Sequence, residues 1–156
     1  MKRPFIGAAV AAAFILAAGV MLGASAQSVS GSLPPVHKGT PTRATVYLKL
    51  PVGTHANSNR PGNEYQIPTV VKASAARGIK VTAITYPRGI NRKFAFSDTP
   101  INVYQGTVPF RFNVTVPASY QGKTMTVNVS VRYQACTEEV CYAPKTKTIA
   151  LTANVQ

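Results

Sequence analysis

Strict alternation of apolar and polar residues over two long stretches is the feature that most limits what this chain can fold into. In the first stretch the apolar positions are Val108, Phe110, Phe112, Val114 and Val116. In the second they are Met125, Val127, Val129, Val131 and Tyr133. Side chains of a β-strand point alternately to opposite faces, so this period predicts two long strands that each bury one face.

Shorter apolar stretches, separated by glycine and proline, predict further strands. The candidates are Ala44–Leu50, Tyr65–Lys72, Lys80–Tyr86, Ile101–Tyr104 and Thr146–Val155. Pro68 has no N–H to donate, so it would place its strand at a sheet edge or break it. A single helical turn at Ser74–Arg77 is the most helix that we expect. About seven short strands with frequent turns predict an all-β fold, an immunoglobulin-like antiparallel β-sandwich.

The N-terminus has the features of a secretory signal peptide. Lys2 and Arg3 are positively charged, residues 5–22 are apolar, and residues 24–26 have the small-x-small pattern that signal peptidase cleaves. The alternative is an uncleaved anchor, because about 18 apolar residues can just span a bilayer.

Cleavage after residue 26 would leave one domain with a short extension. Residues 27–42 are rich in Ser, Gly and Pro and predict a flexible leader, and residues 43–156 are expected to form the sandwich. We therefore expect a periplasmic protein with no transmembrane segment after cleavage.

The exported part of the chain is strongly basic. Without residues 1–26 it has 15 Lys and Arg against 4 Asp and Glu, a net charge of +11. Such a charge can attract nucleic acid. The basic residues are scattered singly, however, and an exported protein rarely meets nucleic acid, so we expect no nucleic-acid partner. Attraction to anionic envelope surfaces or acidic partners is the expected consequence.

The two cysteines, Cys136 and Cys141, lie between the second alternating stretch and the last predicted strand. In an exported protein such a pair is either a structural disulfide or a redox-active cysteine pair. A disulfide here would close a ring that constrains the unfolded chain by only about 2 kcal/mol, yet the spacing by default indicates a structural hairpin disulfide. Glu138 and Glu139 lie between the cysteines, and negative charge disfavours a thiolate. They predict a pair that reacts by docking with a more activated partner.

The sequence around the cysteines is more specific than their spacing. Residues 131–136 (Val-Arg-Tyr-Gln-Ala-Cys) and 141–144 (Cys-Tyr-Ala-Pro) resemble the active-site loop of the N-terminal periplasmic domain of the thiol:disulfide interchange protein DsbD family. Segments that resemble this family follow in its order at 51–58, 66–69, 86–89 and 103–106. The resemblance extends from about Ala44 to the C-terminus.

This resemblance implies an immunoglobulin-like fold and an activity. Reducing equivalents would pass from a membrane electron carrier to periplasmic thioredoxin-like or other disulfide proteins. Cys136 and Cys141 would cycle between dithiol and disulfide, with Cys141 reacting with partners and Cys136 as the resolving sulfur. The resemblance also implies an aromatic cap loop over the cysteines, for which Phe96 is the preferred residue and Phe94 the second candidate.

The resemblance also places residues around the cysteine pair. These surrounding residues are His55, Asn57, Tyr133, Glu138, Glu139 and Tyr142. His55 and Asn57 stand where the best-known members have tyrosines, and Ala143 replaces a proline of the family loop. We expect a monomer without a cofactor, served by a membrane electron-transfer protein that is encoded separately.

Two other classes of function compete with this interpretation. One is an immunoglobulin-like envelope binding module that keeps the disulfide as a structural clip. The other is metal binding through His37, His55, Met125 and the thiols, which is disfavoured because the histidines lack ligand spacing. Four acidic residues and two isolated histidines offer no catalytic triad or carboxylate pair, so hydrolytic enzymes are disfavoured as well.

Overall fold

The computed structural model describes residues 26–156. The predicted signal peptide lies outside the described residues except for Ala26, so its presence and cleavage stay predictions. Within the described part of the chain there is no α-helix, and hence no helix long and apolar enough to cross a membrane.

Residues 26–156 form eleven β-strands. They are β1 (Ser28–Ser32), β2 (Thr42–Lys49), β3 (His55–Asn57), β4 (Val70–Ala75), β5 (Lys80–Val81), β6 (Ile90–Arg92), β7 (Ile101–Gln105), β8 (Thr107–Thr115), β9 (Thr124–Tyr133), β10 (Ala135–Cys136) and β11 (Lys145–Asn154). All pairings between them are antiparallel. They build three sheets, of order β1-β2-β8-β5, β11-β9-β4 and β10-β3-β7-β6. The predicted immunoglobulin-like antiparallel sandwich is confirmed.

The two alternating stretches become the long strands β8 and β9. In both strands every second side chain is buried, from Val108 to Val114 and from Met125 to Tyr133. These side chains meet those of β2 in one hydrophobic cluster. Burying a Val, Leu or Phe side chain completely contributes about 1.5–3 kcal/mol, so this cluster is the main source of stability.

The stretch 27–42 is not a flexible leader, and the domain begins earlier than predicted. Ser28–Ser32 pairs residue by residue with β2, from Lys49 back to Thr45. Val36 is completely buried, and its N–H donates to the carbonyl oxygen of Asn154 at 2.8 Å. The prediction failed because main-chain pairing along the open edge of β2 needs no apolar side chains, and a Ser- and Gly-rich segment provides it equally well.

Three shorter predictions were only partly right. The strand predicted at Tyr65–Lys72 begins at Val70, after Pro68, and continues to Ala75. The stretch from Lys80 to Tyr86 keeps two strand residues in β5 and a single bridge from Thr85 to Arg111. Residues 74–77 form the end of β4 and a turn rather than a helical turn, with Arg77 and Gly78 both at positive φ.

Candidate functional site

Cys136 and Cys141 form a disulfide across a tight hairpin that leads from β10 towards β11. The two residues lie directly opposite each other, with their Cα atoms 4.0 Å apart. The flanking hydrogen bonds run from Thr137 N to Val140 O (2.8 Å) and from Tyr142 N to Ala135 O (2.9 Å). This is the pattern of a non-hydrogen-bonded antiparallel pair, the position at which opposite residues come closest.

Side-chain hydrogen bonds hold the tip of this hairpin as well. The Thr137 hydroxyl accepts hydrogen bonds from the N–H groups of Val140 (3.1 Å) and Glu139 (3.3 Å). Glu138 and Glu139 form the exposed tip of the hairpin. The turn is therefore closed by main-chain and threonine contacts in addition to the disulfide.

The two sulfur-bearing residues differ sharply in exposure. Cys136 is completely buried, whereas Cys141 is exposed. The neighbours of Cys141 on both sides, Val140 and Tyr142, are exposed apolar side chains. Cys141 is therefore the surface half of the disulfide and Cys136 the enclosed half.

A short strand places His55 beside the buried cysteine. His55 is the direct antiparallel partner of Cys136 on one side of β3 and of Gln105 on the other. Directly paired residues project from the same face of a sheet. Cys141, Cys136, His55 and Gln105 thus form one transverse row across neighbouring strands.

His55 is 1% exposed, and its Nδ1 atom is buried without a hydrogen-bond partner among the described residues. Burial lowers the pKa of His55 below its ordinary value. The carboxylate of Glu138 opposes this shift, and the guanidinium of Arg92 adds to it. The ring is therefore held largely neutral near pH 7.

Asn57 links the hairpin to neighbouring loops. Its side-chain amide donates to the carbonyl oxygen of Ile67 (3.1 Å) and, over a long 3.5 Å contact, to Oε1 of Gln134. Gln134 in turn donates to the carbonyl oxygen of Tyr142 at 3.1 Å. Asn57 is buried and lies near the hairpin, and its contacts position loops rather than face the sulfurs.

Two aromatic rings from the segment after β6 cover His55. The ring of Phe94 stacks on the imidazole with centroids 4.5 Å apart, and Phe96 stacks on Phe94 at 5.2 Å. Phe94 is 2% exposed and Phe96 is 52% exposed. Phe94 is thus the inner ring and Phe96 the outer one. Although Phe96 was the preferred candidate for the cap, Phe94 makes the contact with the site.

Arg92 ties this aromatic segment to the cysteine hairpin. Its Nη1 lies 3.1 Å from Oε1 of Glu138 at the hairpin tip. Its guanidinium carbon lies 5.3 Å from the centre of the Phe94 ring, within cation–π range. Neither Arg92 nor Gln134 was among the predicted site residues. Gln134 lies within the 131–136 segment that carries the family resemblance, and the charge of Arg92 close to Phe94 was the available indication for the other.

The two tyrosines expected near the site lie in different environments. Tyr142 is exposed beside Cys141, whereas Tyr133 is completely buried at the end of β9. The hydroxyl of Tyr133 has no hydrogen-bond partner among the described residues, and burial raises its pKa. Tyr133 is therefore a core residue below the hairpin, and Tyr142 belongs to its surface.

The fold and the site define an immunoglobulin-like β-sandwich with a local, half-accessible disulfide at a strand connection. The family model "Thiol:disulfide interchange protein DsbD, N-terminal" matches residues 29–153, and the chain belongs to this family. The family resemblance drawn from the sequence is confirmed. No curated protein matches the chain significantly.

Several solved structures resemble the chain at low identity. The N-terminal domain of DsbD from Neisseria meningitidis in the reduced form has 17% identity and a TM-score of 0.46, covering 80% of this chain and 84% of that one. The complex between the DsbD and PilB N-terminal domains from the same organism has 15% identity and a TM-score of 0.49. That match covers 78% of this chain and 80% of the other.

The N-terminal periplasmic domain of ScsB from Proteus mirabilis has 14% identity and a TM-score of 0.53. The match covers 81% of this chain and 45% of that one. At this identity the likeness supports the fold only.

Proposed function

We propose that this domain transfers two electrons between partner proteins by thiol–disulfide exchange at Cys136 and Cys141. Reducing equivalents would come from a membrane electron carrier and pass to thioredoxin-like or other disulfide proteins in the periplasm. The observation that carries the proposal is the unequal exposure of the pair within a family of thiol:disulfide interchange domains. The periplasmic location rests on the predicted signal peptide and on the family.

The geometry supports an order of events. In the first half-reaction a donor thiolate attacks the exposed sulfur of Cys141, the Cys136–Cys141 bond breaks, and Cys136 leaves as a thiolate that takes up a proton. A second donor thiol then displaces Cys141 from the mixed disulfide and leaves the dithiol. In the second half-reaction Cys141 attacks a partner disulfide, and Cys136 resolves the new mixed disulfide.

The hydrogen bonds of the hairpin argue against a purely structural disulfide. Main-chain bonds on both sides of the cysteine pair, together with the Thr137 hydroxyl, already close the turn. The cross-link spans so few residues that it constrains the unfolded chain by only about 2 kcal/mol. A structural disulfide at this position would add little stability to a turn that is already closed by hydrogen bonds. Thiol–disulfide exchange, in contrast, requires an exposed cysteine, and Cys141 is exposed.

The surface around Cys141 suits transient contact with another protein. Phe96, Val140 and Tyr142 are exposed apolar side chains in and beside the hairpin and the aromatic segment. Aromatic residues are enriched at protein interfaces. The net charge of +11 outside the predicted signal favours partners with acidic surfaces.

Trapping in the bacterial periplasm tests the proposal. A Cys136→Ala variant keeps the exposed thiol but cannot resolve, so it should accumulate mixed disulfides that are visible on non-reducing gels. Cys141→Ala keeps only the buried thiol and is the matched control, expected to trap far less. Absence of mixed disulfides with both variants would contradict the proposal. A reduction potential below about −300 mV for the wild-type pair would instead mark a structural clip.

A further inference from the structure

The most informative unexplained group in the described part of the chain is the imidazole of His55. A buried polar atom without a hydrogen bond costs about 1–3 kcal/mol. Phenylalanine or leucine at this position would fill the space under Phe94 without that cost. The stacking at 4.5 Å between His55 and Phe94 therefore does not explain why the ring carries nitrogen atoms.

The position of His55 relative to the buried cysteine suggests why an imidazole, and not an apolar ring, occupies this site. The two residues are direct cross-strand partners between β3 and β10. Side chains of such a pair lie on one face with their Cβ atoms about 4.5–5.5 Å apart. Nδ1 and Sγ are each within two bonds of their own Cβ, so this separation lets the two atoms approach each other when the disulfide opens, although Nδ1 makes no hydrogen bond in the disulfide form.

The buried cysteine also needs a proton partner. Cys136 is completely buried, so water cannot readily take or supply its proton. Exchange requires Cys136 to be a thiol when the pair is reduced and a thiolate when it resolves a mixed disulfide. Glu138 and Glu139, the acidic groups nearest in sequence, lie at the exposed hairpin tip, and Glu138 is paired with Arg92.

We propose that His55 is the general base that takes the proton of the Cys136 thiol when the mixed disulfide at Cys141 is resolved. This inference rests on the proposed function and deepens it. The thiol proton moves to the imidazole, and the Cys136 thiolate attacks Sγ of Cys141. The Cys136–Cys141 bond forms, the bond from Cys141 to the partner sulfur breaks, and the partner leaves as a thiolate that is then protonated. The domain loses two electrons and the partner disulfide gains them.

The surroundings of the ring suit this task. A base must be neutral before it acts, and burial keeps the pKa of His55 below its ordinary value of 6.5. The charged groups that face it are Glu138, whose carboxylate stabilises the imidazolium formed in the step, and Arg92, which opposes it. Gln105, the cross-strand partner on the other side, is uncharged. Phe94 covers the ring and shields it from water.

The test is a single-turnover reaction of the reduced domain with oxidised glutathione. Acid quenching and intact-mass measurement follow the formation and decay of the glutathione adduct at Cys141. In the wild type we expect decay to be nearly independent of pH between 8 and 7, because the pKa of His55 lies below its ordinary value. It should slow as the pH falls through the pKa of His55, because the protonated ring cannot accept a proton.

The informative variant is His55→Phe, which retains an aromatic ring under Phe94. We expect the adduct to persist about 10- to 100-fold longer at pH 7. Its decay rate should rise about tenfold per pH unit, following the thiolate fraction of Cys136, while the rate of adduct formation stays unchanged. His55→Asn keeps a hydrogen-bonding side chain without a titrating one and should behave in the same way, which guards against a folding defect in the first variant.

Phe94→Leu separates the titrating group from its packing. It partly uncovers His55 but keeps the imidazole, so decay should still show the titration of one group, shifted towards the ordinary pKa of histidine, and not the tenfold rise per pH unit of the His55 variants. If His55→Phe and His55→Asn resolve the adduct at the wild-type rate with the wild-type profile, the role of His55 is refuted and the exchange function stands. If no adduct forms at Cys141 in any of these proteins, the exchange function fails, and the role of His55 fails with it.

Discussion

The guanidinium of Arg92 and the carboxylate of Glu138, 3.1 Å apart, join the aromatic segment to the tip of the cysteine hairpin. Both side chains are partly exposed, and ion pairs of this kind contribute about 0–1 kcal/mol to stability. The ion pair therefore matters mainly because it positions the aromatic segment, with Phe94 over His55, and contributes little to the stability of the fold.

Replacing Glu138 by Gln should loosen the aromatic segment over His55 and make the buried surroundings of Cys136 more accessible. We expect reduction by dithiothreitol to become faster by up to about fivefold, the factor that corresponds to about 1 kcal/mol, with little change in the free energy of unfolding. Glu139→Gln is the control, since Glu139 occupies the same tip and forms no ion pair among the described residues. Equal acceleration in both variants would show that general charge, and not the ion pair, sets the rate.

The two rings of the stack should differ strongly in their effect on stability. Phe94→Ala removes a buried ring and should lower the free energy of unfolding by about 3 kcal/mol. Phe96→Ala removes a half-exposed ring and should cost less than about 1 kcal/mol. Urea unfolding monitored by circular dichroism measures both. Similar losses for the two variants would mean that Phe96 is more tightly packed than its exposure indicates.

Two buried tyrosines, one with a hydrogen-bonded hydroxyl and one without, allow the contribution of that hydrogen bond to stability to be measured. The Tyr104 hydroxyl donates to Oδ1 of Asn59 at 2.7 Å, so Tyr104→Phe should cost about 1–2 kcal/mol. The Tyr133 hydroxyl has no partner among the described residues, so Tyr133→Phe should be neutral or stabilise by up to about 1 kcal/mol. Thermal unfolding compares them. A loss in Tyr133→Phe as large as that in Tyr104→Phe would indicate a partner such as a bound water.

The N-terminal segment should behave as part of the domain. Val36→Ala removes two buried methyl groups and should cost about 2 kcal/mol. Val52→Ala, at a fully exposed position, is the control and should change the free energy of unfolding by less than about 0.5 kcal/mol. Chemical denaturation distinguishes the two. A neutral Val36→Ala would restore the original prediction of a flexible leader.

The parts of the fold that follow from side-chain pattern were predictable. The strands β8 and β9 could be predicted because burial of alternate side chains requires an apolar residue at every second position. The strands β1 and β3 could not be predicted in this way. β1 is held by main-chain pairing, and the three residues of β3 are all buried, so neither shows an alternating pattern.

The same distinction separates the predicted from the unpredicted parts of the site. The cysteine hairpin is local, so Cys136, Cys141 and the glutamates between them could be placed from the sequence. His55 was expected near the cysteine pair only from the family resemblance, without its pairing with Cys136, and the ion pair of Arg92 with Glu138 was not expected; both contacts join residues far apart in the chain. Such contacts depend on which distant strands pair and in what register, and strands as short as β3 and β10 have too few residues for their apolar pattern to show it.

The difference in exposure between the two cysteines also has a kinetic consequence. In the proposed exchange, electron donor and electron acceptor must both react at Cys141, because Cys136 is enclosed. The two partners cannot occupy the domain together and must alternate. Steady-state rates measured at several concentrations of each partner should therefore follow a ping-pong pattern, with parallel double-reciprocal lines. Under the proposed exchange, a single exposed cysteine would make this domain a shuttle that visits its partners one after the other.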